Sequence, residues 1–356
     1  MESFIESINS LDNRQILSKI IIHKGTYNQI ISLENLFTAW EEFRKGKRNK
    51  PDVLLFELNL EDNIFKLHNE LKIGAQREIA YLQFRISDPK PRTISKASVA
   101  DRLLHHAIYR HLQPLFNKTF IFDGFSCRKT KGTHKAFVRT VQIARKVSKN
   151  YTGSCWALKC DVKKFFDNID HRVLIELLER RIDDKPLVSL LGEIIGSFAV
   201  KPGKGMPLGN LTSQLFANVY MDPLDKFVKH RLKVKYYLRY ADDFLLLGSN
   251  PNELLGYFIE INNFLKDKLK LSVHPDKIIL RKLNWGIDFV GYVALPKYTL
   301  PRKSTVKRIF QCLAKKLESE PEKANESLQS YLGYLKHVNA YKISRKLKEQ
   351  LSDNIQ

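Results

Sequence analysis

The stretch KYYLRYADDFLLLG at residues 235–248 places two adjacent carboxylates, Asp242 and Asp243, between two runs typical of β-strands. Side chains alternate in character along the first run, and an apolar run resumes directly after the acids. The pattern predicts a β-hairpin with the acids at its tip. Because like charges at short range raise each other's pKa, the pair favours a shared divalent cation such as Mg²⁺.

A metal site of this kind needs a further acid, and Asp161 in WALKCDVKKFFDNIDH (156–171) is the best candidate. Trp156, Leu158 and Cys160 alternate as on a strand, and Asp161 lies on the opposite parity near the strand's end. Asp161 and the hairpin acids can therefore lie on neighbouring strands. Three carboxylates that hold two metal ions are the arrangement used for nucleotidyl transfer.

These motifs resemble those of the prokaryotic reverse transcriptases, in which an Asp followed by paired aromatics (Asp161, then Phe165-Phe166) precedes Tyr-Ala-Asp-Asp (240–243). The intervening segment reads Leu208-Gly209 and Ser213-Gln214 where most of that family reads Gln-Gly and Ser-Pro. This departure is similar to the reverse transcriptases of diversity-generating retroelements, in the group II intron-like clade. The resemblance runs nearly end to end.

The resemblance implies an α+β right-hand polymerase fold with three parts. Residues 1–150 are expected to form the N-terminal part of the fingers, residues 151–300 the palm with a fingers insertion near 173–212, and residues 301–356 a small helical thumb.

Hydrophobic periodicity predicts the elements of these parts. Helices are expected at 33–43, 59–71, 101–116 and 254–269, with another that begins at Ser213 and several after Pro301. Strands are expected at 81–86 and 92–94, around a turn at 88–91, and near 271–273, 277–280 and 287–293. The palm strands are expected to form a mixed sheet with helices on one side.

The resemblance also assigns roles to individual residues. Asp161, Asp242 and Asp243 are the expected catalytic residues and metal ligands. The expected dNTP-binding residues are Arg92, Phe166, Leu208, Gly209 and Lys277. The expected template and primer contacts are Gln214, Tyr240, Phe289, Gly291 and Tyr292. Plain alternatives remain for some of them: Phe166 as a core side chain, Arg92 as part of a solvated basic face, and Ser213 as a helix N-cap.

Composition favours a nucleic-acid partner. The 356 residues carry a net charge of +22 with a pI of about 9.7, which favours polyanions and a strongly salt-dependent association. The basic residues are spread along the chain rather than gathered on one amphipathic helix, so a membrane surface fits less well. Four scattered cysteines without a C-x-x-C pair argue against zinc and favour a reducing cytosol. The resemblance implies a cytoplasmic protein that is bacterial, archaeal or phage-encoded.

The function expected is that of an RNA-directed DNA polymerase acting on template RNA, a primer and dNTPs with two Mg²⁺ ions, for which Mn²⁺ could substitute. The retroelement resemblance implies mutagenic retrohoming, with error-prone copying at template adenines and a basic accessory protein as partner. Two alternatives stay open: a group II-like, retron-like or phage-defence reverse transcriptase, and an inactive palm that serves as an RNA-binding scaffold.

Overall fold

The computed structural model describes residues 21–87 and 91–352, and the chain divides into two compact units, each discontinuous in sequence. The first unit comprises Met1–Phe122, Val162–Lys233 and Ile261–Ser272, and the second comprises Asp123–Asp161, Val234–Glu260 and Val273–Gln356. No helix in the described part of the chain is both long and apolar enough to cross a membrane.

Both units contain α-helices. In chain order they are α1 (Thr26–Ile31), α2 (Leu33–Phe43), α3 (Pro51–Leu58), α4 (Leu60–Lys72), α5 (Val99–Asn117), α6 (Thr133–Val147), α7 (Phe165–Asn168), α8 (His171–Glu179), α9 (Lys185–Gly196), α10 (Leu211–Lys226), α11 (Pro251–Leu269), α12 (Lys303–Ser319), α13 (Ala324–Leu335) and α14 (Tyr341–Ser352).

The strands form three sheets, and neighbouring strands are antiparallel throughout the described residues. They are β1 (Tyr81–Ile86), β2 (Arg92–Ala97), β3 (Trp156–Asp161), β4 (Tyr237–Tyr240), β5 (Asp243–Gly248), β6 (Ile279–Lys282), β7 (Ile287–Phe289), β8 (Tyr292–Leu295) and β9 (Tyr298–Pro301). The sheet orders are β1-β2, β4-β5-β3-β6 and β7-β8-β9. The predicted mixed sheet is therefore wrong, because both neighbours of β3 run opposite to it.

Most of the predicted helices and strands are confirmed, and three boundaries are corrected. Residues 271–273 are not a strand, because the Leu271 amide closes the end of α11 by donating to Leu265 O (3.0 Å). The run 287–293 is two strands, separated by a turn. Helix α10 begins before Ser213, so Ser213 is not an N-cap. The middle of the predicted turn at 88–91 lies outside the described residues.

Helix α2 shows how local sequence signals and packing agree. The Ser32 side chain accepts a hydrogen bond from the Asn35 amide (3.2 Å), which satisfies an N–H that has no partner within the helix. Leu36, Trp40 and Phe43 lie on one face and are buried. Their spacing is that of an amphipathic helix, so the helix is fixed by both its cap and its apolar face.

In the first unit, α5 and α10 pack together around a buried imidazole. His105 on α5 is 2% exposed, and its Nδ1 lies 2.7 Å from the Thr212 hydroxyl of α10. Its Nε2 has no hydrogen-bond partner within the described chain. Burial lowers the pKa of His105 from 6.5 to about 4, so the ring is neutral at neutral pH.

This burial predicts acid sensitivity. Between about pH 6.5 and pH 4, His105 is protonated in the unfolded chain but neutral in the folded chain. The free energy of unfolding therefore decreases as the pH falls through this range. His105 accounts for about 2 kcal/mol of the decrease in the free energy of unfolding between pH 7.5 and pH 5. Urea unfolding of the wild type and of His105→Gln at both pH values measures it, and equal losses in the two proteins would contradict the assignment.

The second unit contains two apolar clusters. The larger one lies between α6, the strands β4 and β5 and the sheet β7-β8-β9, with Phe137, Leu245 and Phe289 among its buried members. The smaller one joins α12, α13 and α14 through residues such as Leu313 and Leu328. The first cluster supports the sheet that carries the acids.

Candidate active site

The strand register brings two of the predicted acids side by side. Strand β3 pairs with β5 so that Asp161 and Asp243 are direct partners. Directly opposed residues of an antiparallel pair project from the same face with Cβ atoms about 4.5–5.5 Å apart. Asp242 precedes Asp243 in the turn between β4 and β5. Asp161 and the adjacent acids Asp242 and Asp243, which are distant from it in sequence, therefore meet at one end of one sheet.

The turn that carries Asp242 is held by a buried arginine. Ala241 has a φ of +55°, in the left-handed region that residues other than glycine seldom occupy. Arg239 is 2% exposed, and its Nη1 donates to Ala241 O at 3.0 Å. The Arg239 backbone is itself fixed, since its amide donates to Asp123 O (3.0 Å) and its carbonyl accepts from the Phe125 amide (2.9 Å). The guanidinium therefore stabilises the conformation that presents the acids.

The acids repel one another at short range. Burial, followed by the charges of Asp243 and Asp161, raises the pKa of Asp242 to about 7. Burial also raises the pKa of Asp243, although three cations oppose the shift: Lys159, Lys277 and Arg302. An ionised Asp242 is therefore costly at neutral pH, and a divalent cation would relieve that cost.

Lys277 supplies one counter-charge directly. Its ammonium contacts Asp161 Oδ2, and this hydrogen bond raises the pKa of Lys277. The loop is tied to the same acid through the backbone, because the His274 amide donates to Asp161 O at 2.8 Å. The predicted dNTP-binding lysine therefore lies at the acids themselves.

The donor set fits a hard cation, since carboxylate oxygens are the ligands that Mg²⁺ prefers. Within residues 21–87 and 91–352, no group of three or more His, Cys, Asp or Glu side chains has the arrangement of a ready-made metal site. The Lys277 ammonium engages one oxygen of Asp161.

Four of the predicted dNTP-binding residues lie in the first unit. The Leu208 carbonyl accepts from the Ser95 amide of β2 (3.1 Å), and β2 begins with the exposed Arg92. The Phe166 carbonyl accepts from the Met206 amide (2.9 Å). Strand β2 and helix α7, which contains Phe166, are thus both joined to the segment that ends in Leu208 and Gly209.

Gly209 has a structural reason to be glycine. Its φ is +114°, and a Cβ at this position would lie 3.0 Å from Ile94 Cγ2. Phe166 is half-buried, whereas Phe165 is buried and packs edge-to-face against it with ring centroids 5.2 Å apart. The half-exposed ring of Phe166 remains available to a ligand. Gln214, the fourth residue of α10, is exposed.

The predicted primer contacts in the second unit are less accessible. Phe289 and Tyr292 are 0% and 1% exposed. Direct contact of these two side chains with a primer is therefore not supported, and the half-exposed turn formed by Val290 and Gly291 is the accessible part of the hairpin. Tyr240 is half-buried, and its hydroxyl is hydrogen-bonded to the Ser126 side chain.

Three cations near the acids were not predicted from the sequence: Lys159, Arg239 and Arg302. Lys159 shares its strand parity with Asp161, so the alternation on β3 could have revealed it. Arg239 and Arg302 carried no local signal, since their roles depend on contacts formed only in the folded chain.

A reverse transcriptase (RNA-dependent DNA polymerase) family model matches residues 87–294, which is more than half of the chain and includes all three acids. The chain belongs to the reverse transcriptase family. Its fold is accordingly the α+β right-hand polymerase fold, and the family reaction is RNA-directed DNA synthesis.

Individual relatives are distant. Group II intron-encoded protein LtrA of Lactococcus lactis subsp. cremoris is 23% identical over 319 residues, which cover 70% of this chain and 51% of LtrA. Protein YkfC of Escherichia coli (strain K12) is 24% identical over 249 residues, which cover 59% of this chain and 65% of YkfC. The reverse transcriptase chain thus spans less than two thirds of the length of each.

One solved structure with partial similarity is apo telomerase from Candida tropicalis truncated from its C-terminal domain. The TM-score is 0.47 at 14% sequence identity, with 66% of this chain and 59% of that chain covered.

Removing one acid should stabilise the metal-free reverse transcriptase. The folded-state pKa of Asp242 lies above its unfolded value, so its ionisation lowers stability as the pH rises from about 4 to about 7. At pH 8 in EDTA, Asp242→Asn should be more stable than the wild type by on the order of 2 kcal/mol, after allowance for partial solvent screening. Added Mg²⁺ should stabilise the wild type more than the variant.

Thermal or urea unfolding with and without Mg²⁺ measures both effects. Asp276→Asn is the matched control, because the Asp276 side chain is 87% exposed. A less stable Asp242→Asn in EDTA would show that the acids do not strain the fold.

Proposed function

We propose that this chain is an active RNA-directed DNA polymerase that makes cDNA from an RNA template. The observation that carries the proposal is the register that opposes Asp161 and Asp243 beside Asp242. An inactive scaffold would have no need to bury Asp242 beside two further carboxylates whose charges raise its pKa. The net charge of +22 suits template RNA and primer as partners.

In the proposed reaction the primer 3′-oxygen loses its proton to solvent and attacks the α-phosphate of a dNTP, so that a new P–O bond forms and the bond to the β-phosphate breaks with release of pyrophosphate. Asp161, Asp242 and Asp243 would hold two Mg²⁺, or Mn²⁺ as a substitute, and these cations would stabilise the negative charge that develops in the reaction. Lys277 would exchange its contact with Asp161 for the leaving pyrophosphate.

The residues of the first unit select the nucleotide. Arg92 binds the triphosphate, and its fork suits phosphate oxygens. Phe166 contacts the sugar and excludes a 2′-OH. Gly209 lets the backbone approach the nucleotide, and Leu208 offers it an apolar contact. Gln214 lies on the template side, while Tyr240 and the turn at Gly291 meet the primer.

The domain assignment follows from the same proposal. Residues 1–150 form the fingers, 151–300 the palm with an insertion near 173–212, and 301–356 the thumb. The helices α12, α13 and α14 with their own apolar cluster support the last of these. The proposed setting is the cytoplasm.

Within the family, we place the chain among the diversity-generating retroelement enzymes. The support is Leu208 in place of Gln and Ser213-Gln214 in place of Ser-Pro. This class copies template adenines with errors and works with a basic accessory protein. A group II intron-like role is the second candidate, favoured by the similarity to the group II intron-encoded protein LtrA. A template repeat, a variable repeat and a small accessory gene beside the coding sequence would identify the first.

Asp242→Asn should abolish cDNA synthesis while leaving folding and RNA binding nearly intact. Loss of one charged oxygen at a catalytic cation removes transition-state stabilisation, and we expect a loss of at least about a hundredfold. Primer extension on an RNA template in Mg²⁺ measures the rate, with Asp276→Asn as the active control. Substantial extension by Asp242→Asn would remove the hairpin from the active site.

Leu208→Gln should lower misincorporation opposite template adenine. Leucine cannot hydrogen-bond the incoming nucleotide, whereas glutamine can. A hydrogen bond of about 0.5–1.5 kcal/mol changes a ratio of rates roughly three- to twelve-fold. The bond between Leu208 O and the Ser95 amide uses the backbone, so the substitution leaves it in place.

Sequencing the cDNA made from one template by both enzymes decides the matter. Leu55→Gln is the control, because Leu55 is 69% exposed and remote in sequence. Equal error spectra with activity retained would mean that fidelity is set elsewhere.

A further inference from the structure

The turn between β7 and β8 has an unfavourable backbone. Val290 has a φ of +45° and Gly291 a φ of +93°. The left-handed region suits glycine but is disfavoured for a β-branched side chain such as valine. A turn of this kind persists only where its surroundings fix it.

Two donors converge on the Gly291 carbonyl. The Tyr334 hydroxyl of α13 donates to it, and the Arg302 amide, at the start of α12, donates to it at 3.0 Å. The space beside Gly291 is filled by Tyr334 as well, since a Cβ at this position would lie 3.5 Å from the hydroxyl oxygen. Tyr334 thus contacts the turn through both a hydrogen bond and van der Waals packing.

The contact is reciprocal. The Tyr292 hydroxyl donates to Tyr334 O (3.1 Å), and the two rings stack with centroids 4.6 Å apart and planes 19° apart. His134 Nδ1 lies 3.1 Å from the same Tyr292 oxygen. Because the single hydroxyl proton is used toward Tyr334 O, Nδ1 of His134 carries a proton and donates. The His134 ring stacks on His337, just beyond α13, with centroids 3.6 Å apart.

Arg302 links this turn to the acids. Its side chain pairs with Asp288 of β7 (Nε to Oδ1, 2.9 Å), and its charge opposes the rise in the pKa of Asp243. Arg302 therefore holds Gly291 through its backbone amide and offsets the negative charge of Asp243 through its side chain. Hydrogen bonds thus join α13 to the turn, and the charge of Arg302 links the turn to Asp243 at longer range.

We propose that Tyr334 is a positioning residue for primer extension: its hydroxyl fixes the turn at Val290 and Gly291 so that the turn holds the primer 3′ end beside the acids. The inference rests on the proposed function. Tyr334→Phe keeps the ring stack and removes the hydroxyl, with its hydrogen bonds to Gly291 O, the Thr305 side chain and the Arg302 backbone. Movement of the turn lowers the fraction of primer ends in the reactive position without weakening the hold on the duplex.

Two readouts on the full chain test this proposal. In single-turnover extension of a DNA primer on an RNA template, Tyr334→Phe should slow the first addition roughly three- to twelve-fold. Its dissociation constant for the same template–primer should stay within about twofold. Hydrogen exchange should speed up in the peptide that contains residues 288–293. Tyr341→Phe is the matched control, since Tyr341 is 80% exposed at the start of α14.

The outcomes are distinguishable. An unchanged rate of the first addition, in a wild type that extends primers, would overturn the role of Tyr334 and leave the proposed function intact. Faster exchange across all of α12, α13 and α14, with loss of template–primer binding, would also overturn it by showing a general structural role. A wild type that fails to extend any primer would overturn the proposed function and the inference together.

Discussion

Repulsion among three carboxylates at one end of the sheet β4-β5-β3-β6 is the constraint on which the rest of the site depends. The register of β3 against β5 opposes Asp161 to Asp243, and burial then raises the pKa of Asp242 to about 7. Left alone, such a group would favour another conformation of the turn. Backbone hydrogen bonds hold the turn in place, and nearby cations offset part of the negative charge. The negative charge that remains would be stabilised by a metal ion.

The surrounding residues can be understood from that constraint. The buried Arg239 side chain stabilises the turn by donating a hydrogen bond to Ala241 O. Lys277 neutralises Asp161 directly, whereas Arg302 acts on Asp243 at longer range and holds Gly291 through its backbone. In the first unit, the segment ending in Leu208 and Gly209 is joined by backbone hydrogen bonds to β2 and to Phe166 of α7.

The sequence predicted the parts of the site that have a local signal. The alternation before Asp161 and around the hairpin acids is a property of neighbouring residues, so β3 and the hairpin of β4 and β5 were predicted. Periodicity indicated a single strand at 287–293 because Val290 and Gly291 continue an apolar run, whereas the family resemblance implied a hairpin at 289–292. The bonds that hold this turn come from Tyr334 and Arg302, residues outside that run. Arg239 and Arg302 were missed for the same reason, and the burial of Phe289 and Tyr292 depends on packing by α6.

We propose that Asp161 and the hairpin acids hold divalent cations together. Affinity cleavage tests this directly: Fe²⁺ replaces Mg²⁺, ascorbate and peroxide generate hydroxyl radicals at the bound ion, and mass spectrometry locates the cuts. We expect cuts at the end of β3 and at the turn between β4 and β5, both suppressed by excess Mg²⁺ and absent in Asp242→Asn. Cuts at neither place, or cuts at one that persist in Asp242→Asn, would contradict it.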